Sequence, residues 1–503
     1  MSLVKAITAD SQATPGRLYI KKRTSRTQLA LAARRKVSCT GQAPRGPLTP
    51  VLVDNDKRLR DIFGEYDATL GKIHVSFMEK ELYPAWVQRA CAAAAVAASD
   101  NLADAVPATI ATVTASSPGT WANACTYDIL AATDGVANHW NFLFHDSNGK
   151  DWLVENLDTT AGNNNLALKV GDDPAVPFVL AKVADGRPIN VSAQALNTVA
   201  GTDGAIADTD FTGTGKTLET LAAHPEVKAV FVAERSNATI KAKMKTLANA
   251  SSDRRFIICA DASTTSSAAA ITDSADYRSE RVIYAWNHPI IVNPITGVKQ
   301  TVEPCSFRAA LISQTDPWIH AGDFDNSALV GGMVDLTNPG VTDADLDALV
   351  AAGISPLHKN AALPSGFGFF ADVTTSLAGE RQSATIAIQD YLVSLGAPAV
   401  LPNLNKPNTV ERRLAHKLAL EDISEREWRA GHGVDNYVDD DGIEDETRGG
   451  YEVDIDSVNN ATDRSNNIER VLWRCRIFGH MTTLIMEHEM GRGVRFRRQQ
   501  AQA

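Results

Sequence analysis

Residues 227–260 read VKAVFVAERSNATIKAKMKTLANASSDRRFIICA. VKAVFVA (227–233) is a nearly continuous apolar run, the pattern of a strand buried on both faces. From Asn237 to Ala250 the periodicity changes: Ile240, Met244 and Leu247 recur at i, i+4 and i+7, one face of a helix. RFIICA (255–260) is a second buried strand. Strand, helix and strand in so short a span form a βαβ unit, which makes the sheet parallel and covers it with helices. RVIYAW (281–286) and HPIIVN (288–293) continue the pattern, so residues 213–375 are predicted to form an α/β core.

Upstream, residues 99–212 change character. Lys and Arg nearly vanish, and short runs such as ATIATVTA, HWNFLF, LALKV and FVLAKV are separated by SSPGT, SNGK and AGNNN. Short strands between Gly/Asn turns predict an inserted antiparallel sandwich or barrel facing outward. Residues 37–98 read as a small α/β domain. It has strands at Val37–Thr40 and Val51–Val53 and a helix KRLRDIFG capped by Asp56 and stopped by Gly64. A second helix is expected through HVSFMEKEL and a third through the alanine-rich run at 91–98. Residues 1–36 read as an extended arm with one strand at Leu18–Ile20.

Downstream, residues 376–503 open with a helix over Ser383–Leu395, followed by an amphipathic helix from Thr409 to Arg429. An acidic loop follows, with seven acids between Asp435 and Glu446, Asp439, Asp440 and Asp441 among them. In ERVLWRCRIF, Val471, Trp473, Cys475 and Ile477 alternate with Arg474 and Arg476. The tail repeats this in miniature, with Val494 and Phe496 against Arg495 and Arg497. Period-two patterning at a chain end predicts a strand that joins a sheet. The fold class is thus α+β multidomain: an α/β core with a parallel sheet, an inserted antiparallel β-domain, an α/β C-terminal domain, and extended N- and C-terminal arms.

The 503 residues carry a net charge of −11, with 44% hydrophobic and 22% charged residues, which excludes disorder or coiled coil as the main state. No apolar run approaches the length needed to span a bilayer, and no secretory signal is visible at the N-terminus. The charge is uneven. Residues 1–60 hold 13 Lys/Arg against 3 Asp/Glu, a net +10 that leaves −21 for the rest, and Arg492–Ala503 adds four arginines. A basic end points to nucleic acid or to an acidic surface. One aromatic, Tyr19, lies among the basic residues 17–36, and the body is acidic, so another copy of the same chain is the better partner. The six cysteines are at least 34 residues apart, which gives no CxxC metal or redox motif. They read as free thiols, or alternatively as disulfides formed between subunits after release.

No motif completes a chemical site. TGTGKT (212–217) has Asp210 where a phosphate loop needs glycine. DDDGIEDE (439–446) puts Tyr437 and Arg448 at the essential ligand positions of a calcium loop. EHEMG (487–491) lacks the second histidine of a zinc protease, and neither GISPL (353–357) nor LPSGF (363–367) is a nucleophile elbow. No catalytic residue, metal ligand or cofactor is predicted. A large chain with no site and strand-patterned basic ends reads as an assembly subunit rather than an enzyme. An α/β hydrolase or nucleotide-using enzyme, or another assembly protein of the tube, capsid or adhesion class, are the alternatives.

The order of segments resembles the contractile (myovirus-type) bacteriophage tail sheath family. VSCTGQAPRGPLTPVLVDNDKRLRDIFG (37–64) is similar to that family's opening segment, with Gly41, Gly46, Pro47, Phe63 and Gly64 in matching places. ASSPGTWANACTYDI (115–129) resembles the Gly-x-Trp-x-Asn strand that opens its β-domain. GYEVDIDSVNNATDRSNNIERVLWRC (450–475) resembles its C-terminal domain, with Asn460 and Asp463 at the Asn…Asp positions.

The resemblance implies a subtilisin-like, non-catalytic α/β domain. It also implies a homo-oligomeric helical sheath of stacked rings in the virion tail, assembled in the host cytoplasm, that contracts to drive the tail tube through the host envelope. Its partners would be the tail tube protein and the baseplate and tail terminator proteins, with no direct nucleic-acid contact and no membrane insertion. Val471, Trp473, Cys475, Val494, Arg495, Phe496 and Arg497 become subunit-interface candidates, with Asp439, Asp440 and Asp441 as their landing site. If arms cross between subunits, Cys39 and Cys475 are candidates for a disulfide that locks the particle.

Overall fold

The computed structural model describes residues 4–7, 18–21, 36–79, 82–196, 198–224, 226–251, 254–378, 381–400, 409–439, 441–455, 457 and 471–477. The chain divides into two compact units, Met1–Lys406 and Pro407–Ala503.

The first unit is organised by an eight-stranded sheet. Its strands are β1 (Lys36–Gly41), β2 (Val51–Val53), β3 (Ala85–Arg89), β4 (Val227–Val232), β5 (Arg255–Cys259), β6 (Val282–Trp286), β7 (Ile354–Lys359) and β8 (Phe367–Phe369), in the order β8-β7-β6-β5-β4-β1-β3-β2. The six inner strands are parallel; β2 and β8 close the edges antiparallel. Successive residues of β4 and β5 feed opposite faces. Ala229, Phe231, Ile257 and Cys259 enter one core, which contains Leu59, Ile73, Phe307 and Leu311 from α1 (Asp56–Phe63), α2 (Lys72–Glu79) and α6 (Cys305–Gln314). Val230, Val232, Phe256 and Ile258 enter the other, against α3 (Thr217–Ala223), α4 (Ala238–Ala250), α5 (Ser267–Ser274) and α7 (Asp343–Ala351). Burial on both faces is why these strands carry unbroken apolar runs.

Residues 37–98, expected as a domain of their own, instead supply β1, β2 and β3 to this sheet. The cap of α1 is Asn55, whose side chain accepts from the Arg58 N–H at 2.8 Å, so the helix begins at Asp56 rather than being capped by it. The alanine-rich run at 91–98 is not helical. It turns at Ala92–Ala95 and then bridges Val96 to Thr202 and onward to Ser99 with Val199. Helix propensity is a weak prior, and here backbone pairing between the two ends of the insertion overrides it.

The inserted region is an antiparallel sandwich. One sheet has the order Asp151–Asp158, His139–His145, Thr126–Ala131, Val191–Ala195; the other has Phe178–Lys182, Thr109–Ala115, Ser99–Ala103. Trp140, Phe142, Phe144, Leu157 and Phe178 fill the space between them. LALKV, read as a strand, is a short helix, Leu166–Val170, stopped by Gly171 at φ 75°. HPIIVN supplies Pro289–Val292 to a separate three-stranded antiparallel sheet rather than to the parallel one. Helix α8 (Ser383–Val400) follows.

In the second unit, α9 (Val410–Arg429) precedes β9 (Asn436–Val438), β10 (Glu444–Gly449), β11 (Tyr451–Asp454) and β12 (Leu472–Cys475). The acidic loop is the turn of the antiparallel β9–β10 hairpin, and β11 pairs antiparallel with β12.

Candidate functional site

The sequence places function at the chain ends, and at the C-terminal end the described residues include β12 and extend to Ile477. β12 pairs with β11 of its own chain, Tyr451 opposite Cys475 and Val453 opposite Trp473. Trp473 and Cys475 turn onto α9. Trp473 Nε1 donates to Ser424 Oγ at 2.8 Å, and Cys475 Sγ lies 3.7 Å from the same hydroxyl. Ser424 in turn donates to the Leu420 carbonyl, so one buried helix hydroxyl orients two of the candidate residues. Val471 is half-buried just before the strand. β11 and β12 form a two-stranded sheet, so one edge of β12 has no strand partner among the described residues.

The basic face of this segment meets acids of the same chain. Arg474 pairs with Glu452 at 2.8 Å, and Arg476 lies 3.3 Å from the Asp435 carboxylate while donating to the Asn436 carbonyl. In the hairpin turn, Asp439 is committed to its own backbone. Its carboxylate accepts from the Asp441 and Ile443 N–H groups at 3.0 and 2.8 Å, and Gly442 sits at φ 81°. This is an Asx-type turn, and Asp441 beside it is exposed. Asp440, Val494, Arg495, Phe496 and Arg497 lie outside the described residues.

At the other end, Val4–Ile7 pairs parallel with Leu18–Lys21, and the two form a sheet with no third strand among the described residues. The strand expected at Leu18–Ile20 is there. A lone two-stranded sheet is marginal in water.

α9 also carries an exposed apolar stripe. Val410, Leu414 and Leu418, at i, i+4 and i+8, are 66%, 49% and 56% exposed, while Leu420, Ile423 and Ser424 on the inner face are buried. An exposed apolar stripe on a helix whose opposite face is packed marks a contact surface. Its period was legible in the sequence; which face the chain itself covers was not.

All six cysteines are free thiols. Cys39 is fully buried in β1, so a Cys39–Cys475 cross-link would require Cys39 to leave the core. The motifs that failed on spacing are occupied by local structure. The Gly215 N–H donates to Glu219 at 2.8 Å, and Asp210 accepts from the Ala207 N–H at 2.8 Å, so TGTGKT closes on its own carboxylates. Ser355 donates to the Ala371 carbonyl at 2.6 Å and Ser365 to that of Phe367 at 2.8 Å, which engages both serine hydroxyls with backbone.

No protein-family model matches this sequence, and no curated protein does. Solved structures do match. A sheath tail protein from Listeria innocua superposes with a TM-score of 0.60 over 91% of this chain and 99% of its own length, at 12% identity. The chain has the tail-sheath fold. A second sheath tail protein, from Desulfitobacterium hafniense, matches with a TM-score of 0.52 over 89% of this chain and 97% of its own, at 14% identity. The tail-sheath fold therefore accounts for both units, and no helix among the described residues is long and apolar enough to cross a membrane.

Proposed function

We propose that this chain is the structural subunit of a contractile tail sheath. Copies stack as rings around a tail tube, between a baseplate and a tail terminator, and contraction drives the tube through the host envelope. The observation that carries this reading is the match over nearly the whole length of both chains to a sheath tail protein. The parallel sheet corresponds on this reading to the family's subtilisin-like, non-catalytic domain, and assembly takes place in the host cytoplasm before the particle is released.

The surface supports an assembly role. The β12 edge and the arm strands Val4–Ile7 and Leu18–Lys21, which have no further strand partner among the described residues, can join a neighbour's sheet, where strand addition supplies directional hydrogen bonds that survive a change of packing angle. The α9 stripe supplies apolar area, and its occupant is a second copy. Exposed ion pairs such as Arg474–Glu452 contribute only about 0–1 kcal/mol each, so they exchange partners at little cost while rigid bodies rotate. The work of contraction is then a sum of small interface differences over many copies, with no nucleotide hydrolysed.

Electron microscopy of the purified full-length chain tests this. Hollow, ridged cylinders are expected; discrete small oligomers with no tendency to polymerise would contradict it.

A further inference from the structure

Residues outside every motif meet at the carboxyl edge of the parallel sheet. Cys259 ends β5, and Glu303 and Cys305 lie at the start of α6. Their two Sγ atoms and a carboxylate oxygen all lie within 4.8 Å of one another, and all three residues are buried. Ser236, just past β4, joins them: its hydroxyl donates to Glu303 at 3.0 Å, and the Cys259 thiol donates to it at 3.0 Å. Glu234 sits in the left-handed region at φ 53° and accepts from the Glu303 backbone N–H at 3.1 Å. A glutamate held in that conformation is backbone strain of the kind that collects at functional sites.

The position has meaning in this topology. From β1 the chain moves to β3 on one side, and from β4 it moves through β5 and β6 to β7 on the other. The strand order therefore reverses between β1 and β4. Open α/β sheets hold ligands at the carboxyl edge of such a reversal. Here the crevice is closed to an organic molecule: a Cβ on Gly41 would meet Ala233 Cβ at 2.9 Å and Ile73 Cγ1 at 3.0 Å. A bare ion needs only the space between its donors.

We propose that Cys259, Cys305 and Glu303 bind a structural zinc ion, with the Ser236 hydroxyl at the fourth position. Two thiolates with oxygen donors suit a borderline-soft divalent ion and exclude calcium and magnesium. Full burial leaves no open position for a reacting water, which makes the site structural. Burial pushes up both thiols and the Glu303 carboxyl. Binding the ion ties the ends of β4 and β5 to α6. Such a tie fixes the hub of a subunit that moves as a rigid body.

The test uses the full-length chain, stripped with chelator under reducing conditions and titrated with Co2+ and then Zn2+. One Co2+ per chain is expected, with a thiolate-to-cobalt charge-transfer band that Zn2+ abolishes, and a raised thermal midpoint with Zn2+. Cys305→Ser removes the band. Glu303→Gln keeps both thiols and weakens Co2+ binding about tenfold or more. A stripped wild-type chain that shows no thiolate–cobalt band overturns the proposal, whether or not the variants fold. So does a band that survives Cys259→Ser with Cys305→Ser, or a Cys259–Cys305 disulfide found in the chain as purified.

Discussion

Arg45 Nη1 lies 2.5 Å from the Asp146 carboxylate, and both side chains are almost fully buried. Arg45 also donates to the Asp61 carbonyl at 3.0 Å and lies over the Trp121 ring. One guanidinium thereby joins the loop after β1, helix α1 and the inserted sandwich. Removing one partner of a buried pair strands the other charge, at a cost of about 3–5 kcal/mol. Asp146→Ala is expected to lower unfolding stability by that amount in a denaturant titration. A change under about 1 kcal/mol would show that the pair does not hold the sandwich in place.

Acid should weaken the first unit well above the carboxylate range. Burial pushes the His288 imidazole down to about 4, and burial also lowers His74, whose Nε2 lies 2.7 Å from the Gly64 carbonyl. The folded state holds these rings neutral, while the unfolded chain takes up protons near the ordinary value of 6.5. The stability His288 contributes is complete above pH 6.5 and is lost as pH falls toward 4, on the order of 3 kcal/mol in all. Chemical denaturation across that window should show the loss, and His288→Gln should flatten the slope. An unchanged slope in the variant would assign the acid sensitivity elsewhere.

Leu414→Glu with Leu418→Glu changes only exposed positions of α9. The fold should keep its stability within about 0.5 kcal/mol for each change, as surface substitutions do. Sedimentation should show polymer replaced by monomer. Polymer yield equal to wild type would remove the stripe from the assembly surfaces.

Thiol reactivity separates the cysteines. Cys91 and Cys475 are partly exposed, and the other four are buried. Burial pushes up the Cys39 and Cys125 thiols, the latter to about 11, so little thiolate exists to react. A short alkylation pulse on the folded chain, read by peptide mass, should modify Cys91 and Cys475 first. Equal labelling of Cys39 would mean that β1 is not at the centre of the sheet.

The βαβ unit was legible because β4 and β5 are apolar on both faces and α4 has its Asn237 cap, whose side chain accepts from the Ile240 N–H. β12 was legible from the alternation around Trp473, but its partner β11 was not, since YEVD has little apolar character of its own. The alanine-rich run and LALKV were misread because neighbours decide them: Thr202 draws Val96 into a bridge, and Gly171 ends a turn of helix. The Cys259–Glu303–Cys305 cluster has no sequence signal, because 43 residues lie between Cys259 and Glu303 and only the crossover to α6 closes that gap. Burial likewise decided between the two faces of α9 after the periodicity had left them equal.

The most direct measurement of the central claim is antibody labelling of intact tailed particles by electron microscopy, with an antibody raised against this chain. Label should run along the whole tail shaft, and after contraction it should cover a shorter, wider cylinder while the bare tube protrudes. Label confined to the tail tip, the neck or the capsid, or unchanged in extent on contraction, would contradict it.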